Sequence, residues 1–173
     1  MKSRYVLALA AASLVGGCTT TVTGTAQPVP GRFTVAPAAA TDPCALLTDD
    51  EAVRLGFGAP GTRKAARPES LIPPSCTWST PDPNDFDDSL QAIYSTDLSI
   101  GRYYSAQPTG EEQFGGVTWK KHPSPIGDFI CDLAVELSAK SFVALSSQNV
   151  GDPSKACELA EKAAPIVARH LPK

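Results

Sequence analysis

The fold is decided by residues 131–137, which read CDLAVEL. Apolar residues alternate there with Asp132, Ala134 and Glu136. Because successive side chains of a strand point to opposite faces of a sheet, this pattern predicts a strand with one face in the core and one in solvent. Cys131 lies on the predicted core face.

Two elements that follow complete the carboxyl-terminal half. Residues 142–147 predict a second strand, joined to the first as a hairpin across Ala139-Lys140. Asp152-Pro153 is typical of a helix N-cap and first helical position. The apolar stripe of this predicted helix contains Cys157, Ala160, Ala164, Val167 and Leu171.

The preceding half adds short helices and further strands. Thr48 and Glu51 form a capping box for a helix that ends at Gly56. We therefore predict one α+β domain over residues 42–173, an antiparallel sheet of about five or six strands packed against N-terminal and C-terminal helices, with two disulfides. The additional strands are predicted at residues 76–79, 90–95, 98–104 and 116–121.

The amino-terminal segment predicts export. Lys2 and Arg4 precede an apolar stretch at residues 5–15, shorter than the roughly 20 residues that a membrane-spanning helix needs. The small residues immediately before Cys18 resemble the lipobox of bacterial lipoproteins. The resemblance implies that residues 1–17 are a signal peptide and that Cys18 carries acyl chains, such as palmitate, that anchor the protein in the membrane. The alternative is an ordinary secreted protein with a free thiol at this cysteine.

Residues 18–41 predict a flexible tether behind the lipidated cysteine. They are rich in Thr, Ala and Pro and contain one charge, Arg32, so they cannot build a core. The expected location is the cell membrane, with the domain lipid-anchored at the extracytoplasmic face. The Thr run also resembles segments that can be O-glycosylated in related actinobacterial lipoproteins, and whether this tether is glycosylated stays open.

Four cysteines remain for the domain, and they predict two disulfides among three possible pairings. Cys131 and Cys157 face the same core, from a strand and from the helix expected to pack on it. We therefore pair Cys131 with Cys157, which leaves Cys44 to pair with Cys76.

Composition excludes nucleic acid as a partner. The net charge is -3 and the isoelectric point is near 5.3, whereas binding to a phosphate backbone depends on clustered Lys and Arg. Hydrophobic residues make up 42 % of the chain, which is enough for a folded core.

No motif indicates catalysis, a cofactor or a metal. The common hydrolase signatures and a C-x-x-C pair do not occur in the sequence. Residues 56–61 have dinucleotide-loop spacing but end a helix, and the acidic run at 82–88 lacks the register of a calcium loop. His122 is expected in an exposed loop, and His170 at the carboxyl end of the final helix.

Aromatic residues frame the best candidate for a binding loop. Tyr103 and Tyr104 precede a polar segment that ends near Trp119. Loops with aromatic residues on a rigid sheet often bind ligands. The alternative is that Tyr103 and Trp119 pack on opposite faces of the sheet.

Several short motifs together resemble one family. They are DPCALLT at residues 42–48, LG at 55–56, CTW at 76–78, and Cys157 on a carboxyl-terminal helix. In this arrangement the chain resembles the actinobacterial cell-envelope lipoproteins called domain of unknown function 3558, over about residues 42–170. The resemblance implies no established activity and supplies no catalytic residues.

The function expected first is a non-enzymatic module that binds a ligand or protein partner, tethered at the outer face of the cytoplasmic membrane. One alternative is a hydrolase or transferase acting on envelope lipid or glycan, with Asp132 and Glu136 together on the solvent face of their strand. The other is a structural or assembly factor.

Overall fold

The computed structural model describes residues 42–81 and 88–173. The predicted signal peptide, Cys18 and tether lie outside the described residues, as does most of the acidic run. The strands of the described part are β1 Thr62–Lys64, β2 Ser75–Ser79, β3 Asp88–Ser95, β4 Gly110–Phe114, β5 Val117–His122, β6 Ile130–Ser138 and β7 Ser141–Asn149.

These strands form one antiparallel sheet in the order β1-β2-β3-β7-β6-β5-β4. The predicted β6–β7 hairpin is present, with Ser138 opposite Ser141. The helices of the described part are α1 Asp49–Arg54, α2 Ile100–Tyr103 and α3 Pro153–Val167, with 3₁₀ turns at Pro43–Leu46, Pro68–Ser70 and Ala168–His170. None of them is long and apolar enough to cross a bilayer. The predicted α+β class is confirmed.

Local sequence signals start and stop the helices as expected. The Thr48 backbone N–H donates to the Glu51 carboxylate at 3.0 Å, and the Glu51 N–H donates to the Thr48 hydroxyl at 3.3 Å, which completes the capping box of α1. Gly56 follows with φ +94°, a conformation that favours glycine. At α3, the Asp152 carboxylate accepts from the Ser154 N–H at 3.2 Å, ahead of Pro153 at the first helical position.

The sheet has two different faces. The helix-side face carries Trp78, Trp119, Leu133 and Leu145, which pack with α1 and α3 in the larger core. Helix α3 buries only small residues and one valine, so its backbone lies close to β6 and β7. Its buried residues are Ala156, Ala160, Ala163, Ala164 and Val167.

The loop-side face is the opposite face, which carries Ile93, Ala134, Phe142 and Ala144. Leu98 and Tyr104, from residues 96–109, cover these side chains in a second, smaller core. The expectation of a strand with one solvated face is therefore wrong for β6. Within β6, both Asp132 and Ala134 are buried.

Two further differences from the sequence prediction concern strands. The sheet has seven strands rather than five or six, because β1 and β4 were not predicted. Residues 98–104 form no strand. Ile100, Tyr103 and Tyr104 have helical spacing of three and four residues, which lets the short helix α2 turn them toward the smaller core.

Two disulfides fasten the helix-side core. Cys44 pairs with Cys76 and Cys131 pairs with Cys157, the two pairs predicted from the sequence. The first joins the opening 3₁₀ turn to β2, and the second joins β6 to α3.

Candidate functional site

A row of polar side chains crosses the loop-side face. Strand register places Thr77 beside Gln91, Gln91 beside Ser146, Ser146 beside Asp132, and Asp132 beside His122. These five residues, the polar row, lie on β2, β3, β7, β6 and β5. A row of this kind is unusual next to a buried apolar cluster, because each buried polar group loses water and needs a new partner.

One end of the polar row opens into a cavity of about 400 Å³, the sheet-face groove. Its floor includes Ser75, Gln91 and Ile93 from β2 and β3. Tyr103 forms one wall, and residues 64–73 form another. The Gln91 side-chain amide donates to the hydroxyl of Ser75 at 3.1 Å and to that of Thr77 at 3.3 Å.

The wall of the groove is cationic. Lys64 and Arg67 line it, and neither forms an ion pair with a residue of the described part of the chain. Among the described residues, the lining of this groove contains no carboxylate. The groove therefore combines positive charge, hydroxyl and amide groups, and an aromatic wall.

A smaller cavity of about 110 Å³ adjoins the groove. The two cavities share Ile72 and Pro73. Leu71, Leu98 and Arg102 also line the smaller one. Its lining is mostly apolar but also includes the charged residues Asp97 and Arg102, whereas the floor of the groove carries Ser75 and Gln91.

The other end of the polar row is closed by aromatic stacking. The rings of Tyr104 and His122 stack with centroids 4.1 Å apart and planes inclined by 12°. Neither the Tyr104 hydroxyl nor either His122 ring nitrogen has a hydrogen-bond partner in good geometry within the described residues. His122 is only 5 % exposed, so the expectation that it lies in an exposed loop is wrong.

Burial controls protonation at this end. It lowers the pKa of His122, the backbone at Ala106 partly offsets that effect, and the charge of Lys120 lowers the pKa further. Burial also raises the pKa of Asp132, although a hydrogen bond from Ser146 opposes the shift. Both shifts favour the neutral form of the side chain relative to the same group in water.

The two tyrosines have raised pKa values for a related reason. Burial raises the pKa of Tyr103, and the nearby Asp132 charge raises it further. Burial raises the pKa of Tyr104 well above the ordinary value, with smaller contributions from Asp132 and Tyr103. Both side chains therefore carry an intact hydroxyl at neutral pH.

The structure separates the aromatic residues selected from the sequence. Tyr103 and Tyr104 pack together on the loop-side face, with ring centroids 4.9 Å apart, and Tyr103 also contacts Phe142. Trp119 lies on the helix-side face with no exposed surface, and its indole N–H donates to the Phe114 carbonyl at 3.3 Å. Of this set, Tyr103 alone lines the groove.

The polar row does not have the order of a hydrolytic triad. In a triad, the imidazole lies between the hydroxyl and the carboxylate. Here Asp132 lies between Ser146 and His122, and within the described residues no side chain forms a hydrogen bond of good geometry with the His122 nitrogens.

Asp132 and Glu136 do share a face, but they differ in environment. Asp132 is 7 % exposed, whereas the Glu136 side chain is 43 % exposed and lies 3.9 Å from the Lys120 amine. At about 3.3 Å per residue, their Cα atoms are roughly 13 Å apart along the strand. Paired carboxyl groups in glycosidases are at most about 9.5 Å apart.

His170 has a partner that its position in the sequence did not indicate. Its Nε2 atom lies 3.0 and 3.1 Å from the two carboxylate oxygens of Glu51, and the Arg169 guanidinium lies 3.3 Å from the same group. Burial alone would raise the pKa of Glu51, but hydrogen bonds from Thr48 and the interaction with His170 lower it to about 2. This contact joins α1 to the turn after α3.

Metal ligands do not cluster in the described residues, where no group of three or more His, Cys, Asp or Glu side chains could hold an ion. The acidic run contributes only Asp88 to this part of the chain, and the Asn149 amide donates to its carboxylate.

Sequence reasoning missed the polar row and the groove. The available signal was the small size of Ala134 and Ala144, which lie opposite each other on β6 and β7. Small apolar residues on a supposedly solvated face indicate that another segment covers it.

Comparison with known families decides the relationship of this chain. A family described as Protein of unknown function (DUF3558) matches residues 13–170. The chain belongs to this family. The match includes the groove, the polar row and all four disulfide cysteines. No curated protein and no solved structure matches the chain.

Proposed function

We propose that the protein is an exported, lipid-anchored, non-enzymatic binding module that takes its ligand in the sheet-face groove. Cys18 is the anchor, residues 18–41 are the tether, and the domain works at the outer face of the cytoplasmic membrane. The observation that carries the proposal is a cavity of about 400 Å³ whose two cations have no ion-pair partner among the described residues. Cavities of this size with a few convergent polar groups are typical of ligand sites.

The composition of residues 18–41 favours a flexible tether that would keep the domain close to the membrane. A flexible segment of 24 residues has a mean end-to-end distance of about 25 to 30 Å. This distance lets the domain meet either soluble ligands or the surface of the bilayer. The polar and charged lining of the groove favours a polar or charged ligand over a wholly apolar one.

The enzymatic alternative has less support. Asp132 and Glu136 are separated along β6, and the order of the polar row differs from that of a triad. A binding role requires neither a positioned nucleophile nor a general base.

Anchoring is tested by replacing the lipidated residue. In the source organism, wild-type protein should fractionate with membranes and carry an acylated Cys18 by mass spectrometry. Cys18→Ala should remain unacylated and leave the membrane fraction. The Cys44→Ala/Cys76→Ala variant is the control, because it changes cysteine without touching the anchor. An unmodified Cys18 in the mature wild-type protein would contradict this part of the proposal.

The groove is tested by filling it. Ala65 is exposed and lines the groove, so Ala65→Trp should occupy the space with little effect on the core. Ala139→Trp is the matched control, at the exposed β6–β7 turn. We expect native mass spectrometry to detect a co-purified small molecule on wild type and Ala139→Trp, and its loss on Ala65→Trp. Equal retention in both variants, or no bound molecule on wild type, would contradict the assignment.

A further inference from the structure

We infer that the sheet-face groove binds a phosphate ester of a hydroxyl-bearing headgroup, with Lys64 and Arg67 holding the phosphate. The inference rests on the proposed binding function and specifies the chemistry of the ligand.

The first argument is charge. The chain as a whole is acidic, with a net charge of -3, yet Lys64 and Arg67 line the same groove without a carboxylate beside them in the described lining. Exposed cations usually lie among charges of both signs. Both side chains are exposed, and two unpaired cations that line one groove attract an anion more strongly than either does alone.

The second argument is that the backbone of the two residues that carry these cations is held in place. Lys64 belongs to β1 and lies opposite Ser75 of β2. The Arg67 N–H donates to the Ile72 carbonyl at 2.8 Å, and the Ile72 N–H donates to the Arg67 carbonyl at 3.1 Å. These two backbone hydrogen bonds therefore close the turn formed by residues 67–72. An anion site built on such a frame pays less entropy on binding than one on a mobile loop.

The third argument concerns the neutral groups of the floor. The Ser75 hydroxyl accepts a hydrogen bond from Gln91, so its own proton is available for a ligand oxygen. The Gln91 carbonyl oxygen can accept from a ligand hydroxyl. With Lys64 and Arg67, Ser75 gives three donor groups for the oxygens of a phosphate, while Gln91 recognises the alcohol that the phosphate esterifies.

The smaller cavity beside the groove allows two sources of such a ligand to be distinguished. A soluble sugar or glycerol phosphate would fill only the groove. A phospholipid headgroup would bring apolar chain with it, and the smaller cavity, which Leu71 and Leu98 line together with Asp97 and Arg102, adjoins the groove. Its volume of about 110 Å³ approaches that of cavities, about 150 Å³, that admit benzene.

The test uses the full chain carrying Cys18→Ala, so that an acyl anchor does not interfere. The probes for isothermal titration are glycerol 3-phosphate, short-chain dihexanoyl phosphatidylglycerol, and glycerate, which replaces phosphate by carboxylate. Both phosphate probes should bind, glycerate should bind more weakly, and added salt should weaken all binding.

The decisive variant is Lys64→Gln/Arg67→Gln. It should weaken both phosphate probes by about tenfold or more, because charge-assisted hydrogen bonds are lost. Lys140→Gln/Lys155→Gln is the matched control, since it removes the same charge from two exposed sites elsewhere. The control should change affinity by no more than about twofold.

Leu71→Ser distinguishes the sources. Leu71 is 44 % exposed and lines the smaller cavity, so the change should leave the fold intact. Selective loss of the phosphatidylglycerol probe indicates a lipid headgroup, whereas equal binding of both probes before and after the change indicates a soluble ester. Either result supports a phosphate ester.

Three results would overturn the inference: no binding of either phosphate probe, equal weakening in the two double variants, or glycerate binding as tightly as glycerol 3-phosphate. The proposed function would survive them if Ala65→Trp still removes a co-purified molecule. The proposed function itself fails if Ala65→Trp retains the co-purified molecule.

Discussion

The two faces of the sheet bury side chains in different ways. The helix-side face packs large apolar residues against α3 and is tied by both disulfides. The loop-side face has a smaller core under residues 96–109 and places the polar row beside it. Of the four buried side-chain polar atoms without a partner in the described residues, three belong to Tyr104 and His122 on the loop side.

This difference separates stability from recognition. Buried apolar area and covalent links stabilise the helix-side core. Buried polar atoms without a partner lower stability, whereas the exposed cations Lys64 and Arg67 are available to a ligand. We therefore expect substitutions on the helix-side face to lower the free energy of unfolding strongly. Conservative substitutions on the loop-side face should change it little.

The largest effect should follow removal of the disulfide that ties α3 to the sheet. Cys131→Ala/Cys157→Ala opens a link between residues 26 apart in sequence, which corresponds to about 3.5 kcal/mol of unfolding free energy in the chain-entropy model. Urea denaturation monitored by circular dichroism measures the loss. A change below about 1 kcal/mol would show that α3 is held by packing alone.

The next effect concerns the close approach of a glycine to the helix-side core. A Cβ atom on Gly61 would lie 2.5 Å from the ring of Trp78, which is fully buried, and 2.8 Å from the Cys76 sulfur. Gly61→Ala should cost about 2 to 3 kcal/mol, because the indole cannot move without disturbing its neighbours.

Gly101→Ala is the control for that variant. Gly101 lies in α2 over the loop-side face, and no atom of the described residues lies within 4 Å of an added Cβ atom. Its unfolding free energy should stay within about 0.5 kcal/mol of wild type. Equal losses at both glycines would remove the proposed difference between the faces.

Replacing the buried carboxylates Glu51 and Asp132 by amides should affect the free energy of unfolding in opposite ways. Because the pKa of Glu51 is lowered from 4.5 to about 2, its ionised form stabilises the fold above about pH 4.5, and that contribution is lost as the pH falls toward 2. Glu51→Gln should therefore cost about 1 to 2 kcal/mol at pH 7, and the difference from wild type should shrink in acid.

Asp132→Asn is the partner experiment on the loop side. Burial raises the pKa of Asp132, so the folded state is favoured at low pH and loses stability as the pH rises through that raised value. The variant should be as stable as wild type at pH 7 or more stable. Thermal unfolding between pH 2 and 8 measures both variants, and a shared sign would contradict the assignment of their environments.

The smallest effect should come from the Tyr104 hydroxyl. Tyr104→Phe removes a buried polar atom that has no partner in the described residues and keeps the ring that stacks on His122. The unfolding free energy should be unchanged or rise by up to about 1 kcal/mol. Trp119→Phe is the comparison, because it removes an indole N–H that is bonded to Phe114, and it should be destabilising. A loss at Tyr104→Phe equal to that at Trp119→Phe would indicate a hydroxyl partner.

Local pattern was sufficient for several parts of the fold. The capping box at Thr48 and Glu51, the start of α3 at Asp152 and the β6–β7 hairpin depend on residues close in sequence, so the chain itself specifies them. The disulfide pairs could also be predicted, because the alternation at Cys131 and the helical stripe at Cys157 place both in one core.

The loop-side face could not be predicted in the same way. Residues 98–104 have the pattern of a strand, but the central part of this segment forms α2. Tertiary contacts favour that conformation, because the Tyr104 ring stacks on His122 and the Tyr103 ring contacts Phe142. The sequence alone therefore determined where α1 and α3 begin, the β6–β7 hairpin and which cysteines meet. Only tertiary structure decided that Asp132 is buried and that Lys64 and Arg67 share a groove, because those facts depend on contacts between residues distant in the chain.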